Sequence, residues 1–208
     1  MAETTPAARD LPRLMLITQR QSMVPFAQVL EAALEDGARL IQLREKGLAQ
    51  LSLLELALRA GDLCERFGAR LIVNGSVHIA REAGAAGVHF SMHRTQQPAL
   101  QAAARCGLLI GAAVHSAEEA RQAQVFGADY LVLGSIFATA SHPEATPLGL
   151  QVLAEVAREV RIPVFAVGGI TSQNARGCLE AGAHGVAAIR AAWNPEERRE
   201  LLRVVGEF

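Results

Sequence analysis

The stretch Gly37-Ala38-Arg39-Leu40-Ile41-Gln42-Leu43-Arg44-Glu45-Lys46 runs from a helix stop, through a short apolar strand, into a burst of polar residues. A glycine just past a helix end takes the left-handed conformation that closes the helix, so Gly37-Ala38 marks a helix-to-strand junction. The same pair follows an amphipathic stretch at Gly68-Ala69, Gly84-Ala85, Gly127-Ala128 and Gly182-Ala183. Repeated junctions of this kind demand alternating helices and strands. Strands are expected at Leu14–Ile17, Leu40–Leu43, Arg70–Val73, Gly87–Phe90, Leu108–Ala112, Tyr130–Leu133, Pro163–Val167 and Gly185–Ile189. Runs such as Leu71-Ile72-Val73 suit parallel strands buried on both faces. Eight such β–α units in 208 residues predict an α/β fold, a single (β/α)8 TIM barrel. A doubly wound sheet ranks second, because no GxGxxG motif opens a first helix.

Composition narrows the function. Half of the residues are hydrophobic, enough for a large core, and the formal net charge is −1 with no block of like charges. Neither nucleic acid nor an anionic membrane is therefore expected as a partner, and the aromatic content of 4% argues against base stacking. Cys64, Cys106 and Cys178 are odd in number and far apart, so they read as reduced core thiols of a cytoplasmic protein rather than as a disulfide framework or a metal site. Residues 1–11 read as a disordered tail and residues 12–208 as one barrel domain. No apolar run reaches the length of a membrane span. Ser116 with Glu119, and Asn194-Pro195-Glu196-Glu197, carry the signals of helix starts.

In a barrel of this kind chemistry sits where strands end and helices begin, while the opposite face carries stability. That rule sends Asp36, Asp129 and His184 to structural roles at the bottom. The top receives Gln42, Arg44 and Lys46, which alternation along an extended strand puts on one face as an anion-binding rim. Asn74 follows the third strand, and His89, His93 and Arg94 surround the end of the fourth. His115 and Ser116 follow the fifth, and Ser135, Thr139, Ser141 and His142 the sixth. The pair Gly168-Gly169 before Thr171 offers bare backbone N–H groups to a phosphate, with Arg190 as a bidentate helper. His89, inside an apolar strand, is expected as a hydrogen-bonded barrel residue, and His115 as a support for its turn. His78 and His93 are expected at the surface. His142, on the longest strand-to-helix connection, is the histidine expected to act in chemistry. Top-face carboxylates are too sparse to form a convincing Mg²⁺ site.

The segments Gln42-Leu43-Arg44-Glu45-Lys46, Leu71-Ile72-Val73-Asn74, Gly87-Val88-His89, Val114-His115-Ser116, Gly127-Ala128-Asp129-Tyr130, Gly134-Ser135-Ile136-Phe137 and Val167-Gly168-Gly169-Ile170 together resemble the thiamine-phosphate synthase superfamily, from Leu14 to about Ala192. The resemblance implies a (β/α)8 barrel and one of two activities. The synthase branch joins a pyrimidine diphosphate to a thiazole phosphate with Mg²⁺; the TenI-type tautomerase branch aromatises a thiazole carboxylate phosphate by proton transfer. Gln42, Arg44, Lys46 and Asn74 match synthase positions for the pyrimidine and its diphosphate, and Gly169 matches the thiazole-phosphate turn.

Departures from the synthase pattern point to the other branch. Gly75 and Arg94 stand where the synthase has its two Mg²⁺-binding aspartates, Ala113 replaces a serine, and His142 replaces a lysine. One departure cuts the other way: Ser135 occupies the position where the tautomerase branch can carry its acid/base histidine, which leaves that role to His142 on the same loop. The expected activity is therefore a thiazole tautomerase, an isomerase of thiamine biosynthesis. His142 and Ser135 are its catalytic candidates, and Gln42, Arg44, Lys46, Asn74, Thr139, Gly168, Gly169 and Arg190 its substrate-binding residues. No cofactor is expected unless the synthase alternative holds, which would bring Mg²⁺. The expected partner is a small phosphorylated thiazole, with a homo-oligomer possible in principle, and a non-catalytic barrel that binds thiamine intermediates is the third reading.

Overall fold

The computed structural model describes residues 10–19, 25–91, 97–140, 144 and 146–207. Eight parallel strands close into a barrel in sequence order: β1 Leu14–Ile17, β2 Leu40–Leu43, β3 Arg70–Asn74, β4 Gly87–Ser91, β5 Leu109–Val114, β6 Tyr130–Gly134, β7 Val164–Val167 and β8 Gly185–Ala188. Between and after them run helices α1 Phe26–Glu35, α2 Gln50–Arg66, α3 Val77–Glu82, α4 Gln97–Arg105, α5 Ala117–Val125, α6 Gly149–Glu159, α7 Ser172–Glu180 and α8 Pro195–Val205. A 3₁₀ turn at Ala191–Trp193 precedes α8. The expected (β/α)8 barrel is the observed fold.

The junctions that organise the sequence close as their chemistry requires. After α1, Gly37 takes φ +104° and the Ala38 N–H reaches back to the Ala33 carbonyl at 3.1 Å. The same six-residue closure recurs from Ala69 to Cys64, Ala85 to Ala80, Ala128 to Ala123 and Ala183 to Cys178. These bonds satisfy last-turn carbonyls that a helix end leaves open.

Alternation along the strands divides the core in two. In β1, Leu14 and Leu16 face the helices while Met15 and Ile17 point into the barrel. Leu40, Ile72, Leu109, Tyr130, Val132, Phe165 and Ala187 join them inside, so the barrel is filled rather than hollow. Leu11 is buried with this group, and His184 Nε2 donates to its carbonyl at 2.7 Å. The chain is thus packed from Leu11 rather than from residue 12; residues 1–9 of the expected tail lie outside the described residues.

The bottom face is structural, as expected. Asp36 accepts from the guanidinium of the buried Arg198 and pairs with Arg199, and Asp129 Oδ2 accepts from the Ile110 N–H at 2.8 Å. Both helix starts form: Ser116 Oγ accepts from Glu119 N, and Asn194 Oδ1 from Glu197 N. Cys64 and Cys178 are buried, and burial pushes their thiols up to about 12 and about 11. Cys106, expected in the core, is exposed, because it stands just past the end of α4. No helix of the described residues is long and apolar enough to cross a membrane.

Candidate active site

The top of the barrel opens into a cavity of about 1670 Å³. Gln42, Arg44, Lys46, Asn74, Ser135, Thr139, Gly168, Gly169 and Arg190 all line it, so nearly every residue singled out from the sequence converges on one space. His142 lies outside the described residues, as do His93, Arg94 and Ser141.

The rim after β2 is built differently from a plain strand end. β2 stops at Leu43, so only Gln42 of the three rim residues is held by the sheet. Gln42 is 1% exposed and its amide lies 3.8 Å from the Met15 sulfur, which makes it part of the barrel interior rather than of the rim. Arg44 is placed by its backbone, whose N–H donates to Thr18 Oγ1 at 2.9 Å. Lys46 is exposed. Thr18, which the sequence did not single out, fixes this loop from β1 and also lines the cavity.

In an eight-strand closed barrel, β3 stands across from β7 and β2 across from β6. Asn74 therefore faces the Gly168-Gly169 turn, and the Arg44 loop faces Ser135. The two glycines have φ +97° and +65°. A Cβ on Gly168 would stand 2.5 Å from the Ser135 Cβ, and one on Gly169 would stand 2.5 Å from the Ala138 carbonyl oxygen. Their lack of side chains lets the loop after β7 lie directly on the loop after β6, where Phe137 N donates to Gly168 O at 3.1 Å. At the start of α7, Thr171 and Asn174 form a capping box, and Ser172 N donates to Glu197 Oε1. The open backbone for an anion is thus at the glycines and not in the first turn of α7.

The histidines separate clearly. His115 Nδ1 donates to the Gly134 carbonyl, and the His115 N–H donates to Glu119 Oε2 at 2.7 Å, so it does brace its turn while lining the cavity. His78 is exposed. His89 lies within the barrel at 5% exposure, but its Nδ1 has no hydrogen-bond partner among the described residues, contrary to the expectation of a bonded barrel histidine. Burial, with the Arg44 guanidinium adding to it, pushes His89 down to about 3.

A Mg²⁺ ion carrying a diphosphate takes one or two carboxylates from the protein. The turn after Asn74 offers Gly75, which has no ligand atom in a side chain. Glu45 lies between Arg44 and Lys46, and Glu197 is engaged with Ser172. Among the described residues no three His, Cys, Asp or Glu side chains converge as a metal site. Beside Asn74, then, the described residues offer no paired carboxylates for the ion.

The family model described as thiamine monophosphate synthase matches residues 14–192. The chain belongs to that family. A relative named putative thiamine-phosphate synthase 2, from Aquifex aeolicus, is 40% identical over 86% of this chain and 97% of its own length. A thiamine-phosphate synthase from Moorella thermoacetica is 40% identical over 80% of each chain. The solved thiamine phosphate pyrophosphorylase from Pyrococcus furiosus superposes with a TM-score of 0.85 at 34% identity, covering 96% of this chain and 98% of that one. These names correct the sequence-based ranking of an isomerase above a transferase. That ranking weighed four departures, Gly75 and Arg94 above all and then Ala113 and His142, against the whole, whereas the likeness to synthases in the thiamine monophosphate synthase family extends through the barrel.

Proposed function

We propose that this member of the thiamine monophosphate synthase family is a transferase that joins a phosphorylated thiazole to a pyrimidine activated as its diphosphate. The observation that carries the proposal is the placement of two anion grips on opposite walls of one cavity: Arg44, Lys46 and Asn74 on one side, Gly168-Gly169 with Arg190 on the other. One grip suits a diphosphate and the other a monophosphate, and the space of about 1670 Å³ exceeds what a single small ligand fills. In the reaction the thiazole nitrogen forms a bond to the pyrimidine methylene carbon while the carbon–oxygen bond to diphosphate breaks. The diphosphate leaves with the electron pair, and no proton need move. The protein's part is to hold the two partners in line and to stabilise the departing charge with preorganised cations, Arg44 and Lys46. No step is routed through a metal.

The test is to incubate the protein with pyrimidine diphosphate and thiazole phosphate, with and without divalent cations, and to follow thiamine phosphate by chromatography. Formation of thiamine phosphate is expected, and Arg44→Ala lowers kcat/KM by about 10²-fold, the usual order for removing one charge-stabilising donor. Absence of thiamine phosphate under every condition overturns the proposal.

A further inference from the structure

Beneath the cavity two buried polar atoms lack partners among the described residues: Nδ1 of His89 on β4 and the hydroxyl of Tyr130 on β6. Gly111 on β5 lies between them, in register with both. A Cβ on Gly111 would stand 2.2 Å from the Tyr130 hydroxyl and 2.6 Å from His89 Nδ1, so the two atoms are near neighbours in the space a side chain would fill. The rings lie side by side with centroids 5.8 Å apart and planes inclined by 28°. Tyr130 also meets the edge of Phe165, whose ring offers the hydroxyl no lone pair.

Unpaired polar atoms in a protein interior are costly and call for a partner or a bridging water. Two arrangements are open to this pair. If Nδ1 carried the proton and donated to Tyr130, the phenolic hydrogen would be left without an acceptor. If Tyr130 donates to a bare Nδ1, both atoms are satisfied at once. The second arrangement places the imidazole proton on Nε2. His89 lines the cavity, and with Nδ1 buried beside Tyr130, Nε2 is the ring nitrogen left to serve a ligand.

We propose that Tyr130 is a positioning residue whose hydroxyl donates to Nδ1, fixes His89 as the Nε2–H tautomer and so sets a hydrogen-bond donor into the floor of the cavity. The matching ligand group is an unprotonated acceptor, a ring nitrogen of a heterocycle, because Ile17, Val132 and Ala187 line the same floor and disfavour a charged group there. That the heterocycle is a substrate rests on the proposed function; the tautomer does not. Gly111 is the residue that makes the pairing possible.

Long-range ¹H–¹⁵N NMR of histidine-labelled protein reads both ring nitrogens and therefore the tautomer without any catalysis. The wild type shows Nδ1 unprotonated and Nε2 protonated, and Tyr130→Phe, which keeps the ring and the fold, shifts the population towards Nδ1–H. A wild type protonated at Nδ1, or a spectrum unchanged in Tyr130→Phe, overturns the positioning role. Adding thiazole phosphate or pyrimidine diphosphate shifts the His89 Nε2–H resonance if the floor donates to a ligand. No shift with either probe overturns the donor role, whether or not the protein makes thiamine phosphate. In kinetics, Tyr130→Phe raises KM several-fold with kcat little changed, a split that loss of packing alone would not give.

Discussion

At the scale of single residues, His89 shows how a side chain that looks like barrel filling takes on chemical meaning. Being buried beside the Arg44 guanidinium, it stays neutral in the folded chain down to a pKa of about 3. In the unfolded chain the same imidazole takes up a proton near pH 6.5. Between those values the unfolded state binds more protons, so stability rises with pH across this window and falls as the solution is acidified. His89 alone costs about 2 kcal/mol between pH 7 and pH 5 by this linkage. Urea unfolding at the two pH values therefore shows a clear loss for wild type, and His89→Gln flattens that dependence. Equal slopes for the two proteins would remove His89 as the source. The sequence placed His89 within an apolar strand, but its relation to Tyr130 was hidden. Their meeting depends on the register of three strands and on the absence of a side chain at Gly111, and neither is a local property of the sequence.

At the scale of elements, the strand starts were largely legible because helix stops precede them, whereas the ends were not. β3, β4 and β6 run one residue further than the apolar pattern suggests, to Asn74, Ser91 and Gly134, because the parallel ladder keeps pairing after the side chains turn polar. β2 behaves in the opposite way. Its pattern suggested an extended face through Lys46, yet pairing ends at Leu43 and a Thr18 hydrogen bond takes over. The closure of α8 against α1 illustrates a structural acid correctly placed at the bottom. Arg198 is 2% exposed and gives Asp36 a 3.0 Å bond from Nε besides a second from its terminal nitrogen, and it also donates to the Ala192 and Ala32 carbonyls. Removing one partner of a buried pair leaves the other charge uncompensated, at a cost of about 3–5 kcal/mol. Asp36→Ala should lower stability by that order in urea titration while leaving ligand binding at the opposite end intact. A change below about 1 kcal/mol would mean that the backbone carbonyls alone sustain Arg198.

At the scale of the whole molecule, frame and rim carry different information. The frame must alternate side chains inward and outward on eight strands and close its helices with glycine, so its pattern is strong and repeated, and likeness to synthases runs along its length. The rim holds the chemistry in a few positions, and departures at several of them, Gly75 and Arg94 above all, led the sequence towards proton transfer. Gly75 is the place to test how far the rim controls metal use. It has φ +80°, and a Cβ there would meet nothing within 4 Å, so a larger residue fits sterically and pays only for the left-handed backbone. Aspartate tolerates that conformation better than most residues, at a cost of roughly 1–2 kcal/mol. Gly75→Asp would put a carboxylate beside Asn74 on the wall that also bears Arg44 and Lys46. Since Mg²⁺ seeks a carboxylate and the diphosphate oxygens together, the variant is expected to gain a Mg²⁺-dependent increase in the rate of thiamine phosphate formation over the metal-free rate. Initial rates measured across a Mg²⁺ titration, for wild type and variant side by side, decide the matter. The same response in both would mean that residue 75 does not govern the metal, and that the charge of the departing diphosphate is met elsewhere on the rim.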